Sequence, residues 1–383
     1  MTTLWDTSGT EVVKALAAER RSGGAVLSGL ALTLVVVADE KDVAQAEAAA
    51  TTAASRHPCR LLVVIRRQID APVPRLDAEV QIGGRLGPGE AVVMRMYGRL
   101  ALHAESVVLP LLAPDAPVVT WWYGEPPDLI AHDPLGVFAE RRVTDVSKAA
   151  DPVTELRRRA DDFAAGDTDL AWTRITPWRA LLASAFDTVR ATPHRAVVRG
   201  RDRDPTTLLL AGWLSARLRL QVPVEGADGD TRGRTSLGIA EVLIELDDGG
   251  TVRASRDDRT DVRLQRHGQP DSLITLPDRE LGDLLAEELR RLDADQPYAD
   301  ALGAATGTGG LAGRPSRRVH IWRDPALEKA EELNGPPPPK ATPTAPAGSP
   351  QDPAGQAEHG PTWPGTKPAG SYPDGTESPE GGG

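Results

Sequence analysis

Two continuous apolar runs, VLSGLALTLVVVA at residues 26–38 and RLLVVIR at residues 60–66, decide the predicted fold of the first half of the chain. Both runs are rich in β-branched residues and lack polar alternation, which is typical of strands buried on both faces of a parallel sheet. The Ala-rich segment 40–55 between them lacks Gly and Pro, so a helix is favoured there. Strand, helix and strand in this order predict a parallel crossover unit.

Further patterns around this unit predict a complete mixed α/β domain. Ser8 and Glu11 have the spacing of a capping box and predict a helix over residues 8–20. Glycines and prolines at 87–89 separate two half-exposed runs, which favours a pair of neighbouring strands. The predicted strands are 78–82, 91–97 and 118–123, and a further helix is predicted at 99–113.

The second half of the chain repeats this order of elements, from helix and strand to an antiparallel meander. Asp204 precedes Pro205 at the first position of a predicted helix, where both residue types are favoured. DDGG at 247–250 is a hairpin signal between alternating strands. Helices are predicted at 178–190, 205–218 and 278–292, and strands at 194–199, 220–225, 239–246, 251–256, 261–266 and 272–276.

These elements predict an α/β (α+β) protein with two mixed-sheet α/β domains. We expect an N-terminal domain at 1–146 and a C-terminal domain at 147–333, with a junction segment at 147–177. The last 49 residues hold 13 Pro and 10 Gly and few apolar side chains. Because such a segment cannot offset the entropy of ordering, residues 334–383 are predicted to be a disordered tail.

Composition excludes several classes of function. The chain of 383 residues has 44 basic and 55 acidic side chains, a net charge of −11, which disfavours binding to nucleic acid. Its longest apolar run, 30–38, is too short to span a membrane, and the first residues lack the pattern of a signal peptide. A soluble, cytoplasmic protein is therefore expected.

The sequence contains no recognisable enzyme motif, so no catalytic residue, metal site or cofactor is predicted. Phosphate-binding loops, dinucleotide fingerprints and nucleophile elbows are missing from the sequence. Cys59 is the single cysteine, so an internal disulfide or dithiol switch is impossible. Cys59 follows His57 and Pro58 at the start of a buried strand, which favours a packed thiol over a nucleophile. Arg60 is expected either to cap the strand end or to pair with an acid.

Two groups of residues remain candidates for binding. Arg201 and Arg203 precede a helix N-terminus and could bind an anion there, although Asp202 and Asp204 oppose this. Eight of the 15 aromatic residues are Trp, and several lie close to arginines, as in protein-interface hot spots. These aromatic residues either contact a partner or pack the two domains together. The candidates for partner binding are Trp121, Trp122, Tyr123, Glu125, Trp172, Arg174, Trp178 and Arg179.

Four ordered motifs resemble those of a known family: HPCR at 57–60, WWYGEPP at 121–127, RRVTD at 141–145 and WTRITPWR at 172–179. Together they are similar to the glucose-6-phosphate dehydrogenase assembly proteins, often called OpcA, over residues 1–325. The Arg- and Ala-rich composition resembles an actinobacterial member.

The resemblance implies a non-catalytic effector that binds glucose-6-phosphate dehydrogenase and promotes its assembly or activity in the oxidative pentose phosphate pathway. The acidic charge and the short apolar runs of the chain predict no nucleic-acid or membrane partner. An alternative from the residues alone is a sensor that binds a sugar phosphate or nucleotide at the helix N-terminus near 200–205.

Overall fold

A computed structural model describes residues 1–22, 30–83, 89–226, 238–257 and 260–316. The tail predicted at 334–383 lies outside the described residues, as does most of the predicted turn at 87–89. None of the described helices is long and apolar enough to span a bilayer.

The first sheet has eight strands in the described part of the chain, in the order β1-β4-β5-β3-β2-β6-β7-β8. The six strands from β5 to β8 in this order are parallel to one another. Beyond β5 the sheet continues with β4, which is antiparallel to β5, and then with β1, which is antiparallel to β4. The strands are β1 (Thr2–Leu4), β2 (Leu32–Ala38), β3 (Cys59–Arg67), β4 (Arg75–Ile82), β5 (Glu90–Tyr97), β6 (Val118–Trp122), β7 (Arg141–Thr144) and β8 (Asp167–Asp169).

Helices cover both faces of this sheet, so its central strands are buried throughout. The predicted crossover is confirmed, because β2 and β3 are parallel and a helix over Val43–Arg56 joins them. The predicted helix at 99–113 is interrupted by His103 and ends in a 3-10 turn containing Pro110. The helices of this half are α1 (Gly9–Ser22), α2 (Val43–Arg56), α3 (Arg99–Leu102), α4 (Glu105–Val108) and α5 (Pro152–Asp162).

The second sheet has the order β10-β9-β11-β12-β13-β14 among the described residues, and its antiparallel meander was predicted correctly. Its strands are β9 (Pro193–Gly200), β10 (Val224–Gly226), β11 (Ile239–Leu246), β12 (Thr251–Arg256), β13 (Asp261–Arg266) and β14 (Ser272–Thr275). The helices of this half are α6 (Leu170–Arg174), α7 (Thr176–Ala185), α8 (Pro205–Leu218), α9 (Leu281–Leu289) and α10 (Gln296–Thr306).

Asp204 caps α8 as predicted, accepting hydrogen bonds from the backbone N–H groups of Thr206 and Thr207 at 2.9 and 3.2 Å. Helix α8 then packs closely on α10. A Cβ atom on Gly212 would lie 2.2 Å from the Ala301 carbonyl oxygen, so this crossing requires glycine.

Elements from beyond residue 146 complete the first sheet. Strand β8, within the predicted junction, pairs with β7. Helix α9 packs on α2, and a Cβ atom on Gly282 would lie 2.5 Å from Thr52. Leu284, Leu285 and Leu289 of α9 are buried in the core that α2 forms over the sheet. The two-domain division stays a prediction, and the two halves of the chain share this core.

Candidate functional site

The strand order creates a crevice at one place in the first sheet. From β2 the chain crosses through α2 to β3 on one side, whereas β6 lies on the other side of β2. Doubly wound sheets bind ligands at the carboxyl ends of their strands where the winding direction reverses. Here a cavity of about 450 Å³ opens at that point, between the segments that follow β2, β6 and β7.

Charged side chains dominate the lining of this switch-point cavity. Asp145 accepts two hydrogen bonds from Arg174, both at 2.7 Å, and Glu155 forms an ion pair with Arg159 at 3.0 Å. Within the described part of the chain, the remaining three carboxylates form no ion pair or side-chain hydrogen bond. These three are Asp39, Asp42 and Glu125, and the lysines of the lining are Lys41 and Lys148.

Lys148 and Tyr123 form the inner wall of the switch-point cavity. The Lys148 Nζ lies 3.1 Å from the centroid of the Tyr123 ring. Much of the lysine side chain is exposed, but desolvation of its amine against the ring lowers the pKa of Lys148 to about 8. The Tyr123 hydroxyl donates a 2.6 Å hydrogen bond to Gln45 Oε1, and burial raises the pKa of that tyrosine.

The turn after β2 is unsuited to a dinucleotide. A pyrophosphate at this position needs a glycine-rich turn that lets the backbone approach the phosphates. The chain has Asp39-Glu40-Lys41-Asp42 there, with side chains at every position and three of them acidic. The cavity therefore has the fold position of a nucleotide site without the chemistry for one.

An exposed rim lies beside the cavity, at residues 125–129. Arg159 is buried and donates hydrogen bonds of 3.0 Å to the carbonyl oxygens of Pro127 and Asp128. Pro126 and Pro127 restrict the backbone further. On this clamped rim, the side chain of Asp128 is 76% exposed and Leu129 is 45% exposed. The rim therefore presents acidic and apolar groups on a fixed backbone.

A buried polar network joins the RRVTD and WTRITPWR motifs to α9. Glu288 accepts hydrogen bonds from Arg141 Nε at 3.1 Å and from the Thr173 hydroxyl at 2.5 Å. Arg141 also donates to the carbonyl oxygen of Asp293 at 2.8 Å. These contacts tie β7, α6 and α9 together in the interior, so part of each motif serves the fold.

A second part of the network centres on two buried aspartates. Asp167 pairs with Arg142, which is fully buried, and accepts a 2.8 Å hydrogen bond from the Ala164 N–H. Asp169 accepts hydrogen bonds from the Thr144 hydroxyl at 2.6 Å and from two backbone N–H groups. Burial, together with the nearby Asp145 charge, raises the pKa of Asp169 to about 6.

The predicted partner-binding residues are mostly interior. The Trp172 indole donates to Asp295 at 2.9 Å, and the Arg179 guanidinium lies 3.5 Å from the Trp172 ring centroid. Arg174 is half-buried against Asp145, and Glu125 is exposed. This burial agrees with the alternative in which the aromatic rings pack the body, and partner binding through these residues stays a prediction. The buried aromatic residues are Trp121, Trp122, Tyr123, Trp172 and Trp178.

The predicted anion site near α8 has its charges already paired. Asp204 occupies the helix N-terminus and also pairs with Arg201 at 3.5 Å. Arg203 pairs with Asp151 at 2.8 Å. These contacts leave little free positive charge for an external anion. No group of three or more His, Cys, Asp or Glu side chains that could hold a metal ion occurs in the part of the chain that the structure describes.

Sequence reasoning missed the switch-point cavity because its lining comes from three distant loops. A usable signal was present, since Asp39, Tyr123 and Asp145 each follow directly on the end of a parallel strand. Strand β7 was not predicted, so the convergence of these three loops could not be inferred.

The thiol of Cys59 is buried, and this raises its pKa to about 12. We expect less than a tenth of the native chain to react with a maleimide at pH 7.5 within minutes, because the thiolate is the reactive form. Denatured chain should react fully. Rapid labelling of native protein, measured by mass spectrometry, would contradict this placement.

The neighbouring Arg60 pairs with Glu90 at 2.9 Å, which confirms its predicted ion pair.

Two family models match the chain one after the other. The model described as the glucose-6-phosphate dehydrogenase subunit N-terminal domain matches residues 50–161. The model described as the C-terminal domain of that subunit, with OpcA in its name, matches residues 165–302. Together these matches cover most of both sheets.

Curated cyanobacterial relatives carry the same family name. The chain is 28% identical to an OxPP cycle protein OpcA of Synechococcus elongatus over 309 residues, covering 73% of this chain and 63% of the relative. It is 26% identical to the OpcA protein of Nostoc punctiforme over 199 residues, covering 46% of this chain and 42% of the relative. The chain thus spans less than two thirds of the length of either relative.

Similar solved structures include oxidoreductases. An oxidoreductase from Sinorhizobium meliloti has a TM-score of 0.38 at 12% identity, covering 76% of this chain and 99% of that one. A 3-ketoreductase from Actinomadura kijaniata has a TM-score of 0.35 at 11% identity, with the same coverage. Likeness at this level carries no argument about function.

Proposed function

The chain belongs to the OpcA family of glucose-6-phosphate dehydrogenase assembly proteins, and on this premise we propose that it binds a glucose-6-phosphate dehydrogenase and promotes the enzyme's assembled, active state. The observation that supports this proposal is the succession of two family models over residues 50–161 and 165–302. In this proposal the chain is a cytoplasmic, non-catalytic effector.

The effect would arise by linkage between binding and assembly. A protein that binds only the assembled form of an enzyme stabilises that form by RT ln(1 + [L]/Kd), about 2.7 kcal/mol when its concentration is 100 times Kd. Such a gain shifts the assembly equilibrium roughly a hundredfold. No chemical step by the effector is needed, and the enzyme's own active site is unchanged.

We place the contact surface on the rim at residues 125–129. This rim includes the exposed end of the WWYGEPP motif, whose aromatic part is buried. Leu129 supplies an exposed apolar side chain, and Glu125 and Asp128 supply charge around it, which is the composition of an interface anchor with a polar edge. The clamp from Arg159 lowers the entropy lost when the rim is immobilised by a partner.

Mixing the purified chain with the dehydrogenase from the same organism tests this proposal. The enzyme is diluted until its oligomer begins to dissociate, and its initial rate and sedimentation are measured with increasing amounts of the chain. We expect the specific activity and the oligomer mass to rise together and to saturate. An equal mass of an unrelated protein controls for crowding. Unchanged rate and unchanged mass at saturating chain would contradict the proposal.

A further inference from the structure

The position of the switch-point cavity is the first argument that it is a ligand site. It lies at the carboxyl ends of β2, β6 and β7, where the winding of the sheet reverses. Its volume of about 450 Å³ falls within the range of about 300–1,000 Å³ found for small-molecule pockets. The buried aromatic core beneath it and the Arg159 clamp beside it hold its shape.

The lining restricts the chemistry of the ligand. Asp39, Asp42 and Glu125 have carboxylates that only accept hydrogen bonds, and Lys41 and Lys148 have ammonium groups that only donate them. A purely anionic ligand would meet three unpaired carboxylates, and a purely cationic ligand would meet two lysines. A hydroxyl group both donates and accepts, so several adjacent hydroxyls satisfy both kinds of lining group.

The lining also argues against a dinucleotide. The turn at 39–42 lacks glycine and is mostly acidic, so a pyrophosphate cannot approach its backbone. A single phosphate attached to a hydroxylated ring could pair with a lysine of the lining, Lys41 or Lys148. Lys148 belongs to the cavity lining, with its amine over the Tyr123 ring.

We propose that the switch-point cavity binds a hexose or hexose phosphate through the ring hydroxyls, with Asp39 and Asp42 accepting hydrogen bonds and Lys148 donating one. Ligand binding here does not depend on the proposed partner, because all the groups belong to this chain. The site would give the effector a way to respond to the level of a sugar metabolite.

Calorimetric titration of the full chain tests the site, with glucose 6-phosphate, glucose, inorganic phosphate and NADP as separate probes. We expect one site per chain for glucose 6-phosphate, with glucose binding at the same site. The double substitution Asp39→Asn with Asp42→Asn should weaken binding at least tenfold. Since neither carboxylate forms an ion pair or side-chain hydrogen bond in the described residues, the variant should keep the unfolding temperature of the parent.

The matched control is Asp300→Asn, an exposed carboxylate on α10 that does not belong to the cavity lining and should leave the affinity unchanged. If neither glucose 6-phosphate nor glucose binds, the proposal is overturned. Equal affinity for inorganic phosphate and glucose 6-phosphate also overturns it, because the hydroxyls would then contribute nothing. Binding of NADP in preference to the sugars would overturn the proposal. Sugar binding that the double substitution leaves unchanged would overturn it too. The dehydrogenase is absent from these titrations, so the outcome is separate from that of the mixing experiment.

Discussion

Replacing Glu288 with Ala is expected to destabilise the folded chain by about 3–5 kcal/mol, because it leaves the Arg141 guanidinium buried without its counter-charge. The two side chains are 6% and 3% exposed, so water cannot replace the lost carboxylate. The Thr173 hydroxyl also loses its hydrogen bond to Glu288 Oε1. Since many domains have a total stability of only about 5–15 kcal/mol, urea denaturation should show a large fall in the unfolding midpoint.

Two further variants separate the buried charge from a general loss of packing. The double substitution Arg141→Met with Glu288→Leu removes both charges and should be clearly more stable than Glu288→Ala alone. Glu245→Ala breaks the exposed pair between Arg195 and Glu245 and should cost at most about 1 kcal/mol. A Glu288→Ala variant no less stable than Glu245→Ala would show that the buried pair does not hold the halves together.

In the proposed complex with the dehydrogenase, replacing Leu129 with Asp is expected to weaken association by roughly 10- to 100-fold, about 1.4–2.8 kcal/mol. The rim would lose its apolar anchor and gain a charge that must be desolvated in the complex. Because Leu129 is already 45% exposed, the fold should tolerate the change. Titration of dehydrogenase activity against the variant gives the shift in half-saturation.

Leu109→Asp is the matched control. Leu109 is 47% exposed, so its substitution should change the stability of the fold about as little as that of Leu129. It lies near the amino-terminal edge of the sheet, where the Leu111 carbonyl accepts a hydrogen bond from Arg60 at the start of β3. Leu109→Asp should retain parental association. If both variants bind normally, the rim is excluded as the contact surface while partner binding itself stands; if both weaken equally, the effect is not specific to the rim.

Sequence reasoning predicted the strands whose own residues form an apolar pattern. The runs at 26–38 and 60–66 predicted β2 and β3 because continuous β-branched residues suit a strand covered on both faces. Strand β7 was missed because its residues Arg141 and Arg142 suggest an exposed segment. They are buried only because Glu288 and Asp167, distant in sequence, supply counter-charges. No local pattern carries that information.

The aromatic residues illustrate the same limit for the site. Neighbouring residues of a strand point to opposite faces of the sheet, so Trp121 and Trp122 of β6 cannot both face the same core. Both are buried, because α2 and α9 cover one face of the sheet and α1 with its neighbours covers the other. The number of layers is a property of the whole topology. It also decides where the switch-point cavity forms.

Because α9 covers part of the first sheet, the order of synthesis matters for this protein. Ribosomes add roughly 5–20 residues per second, so the stretch between residue 146 and the end of α9 at Leu289 takes roughly 7–30 s to emerge. During that interval the apolar face of α2 that packs against α9 in the folded protein is exposed to solvent on the nascent chain. A chain that ends before α9 is therefore expected to leave this apolar surface of α2 exposed to water.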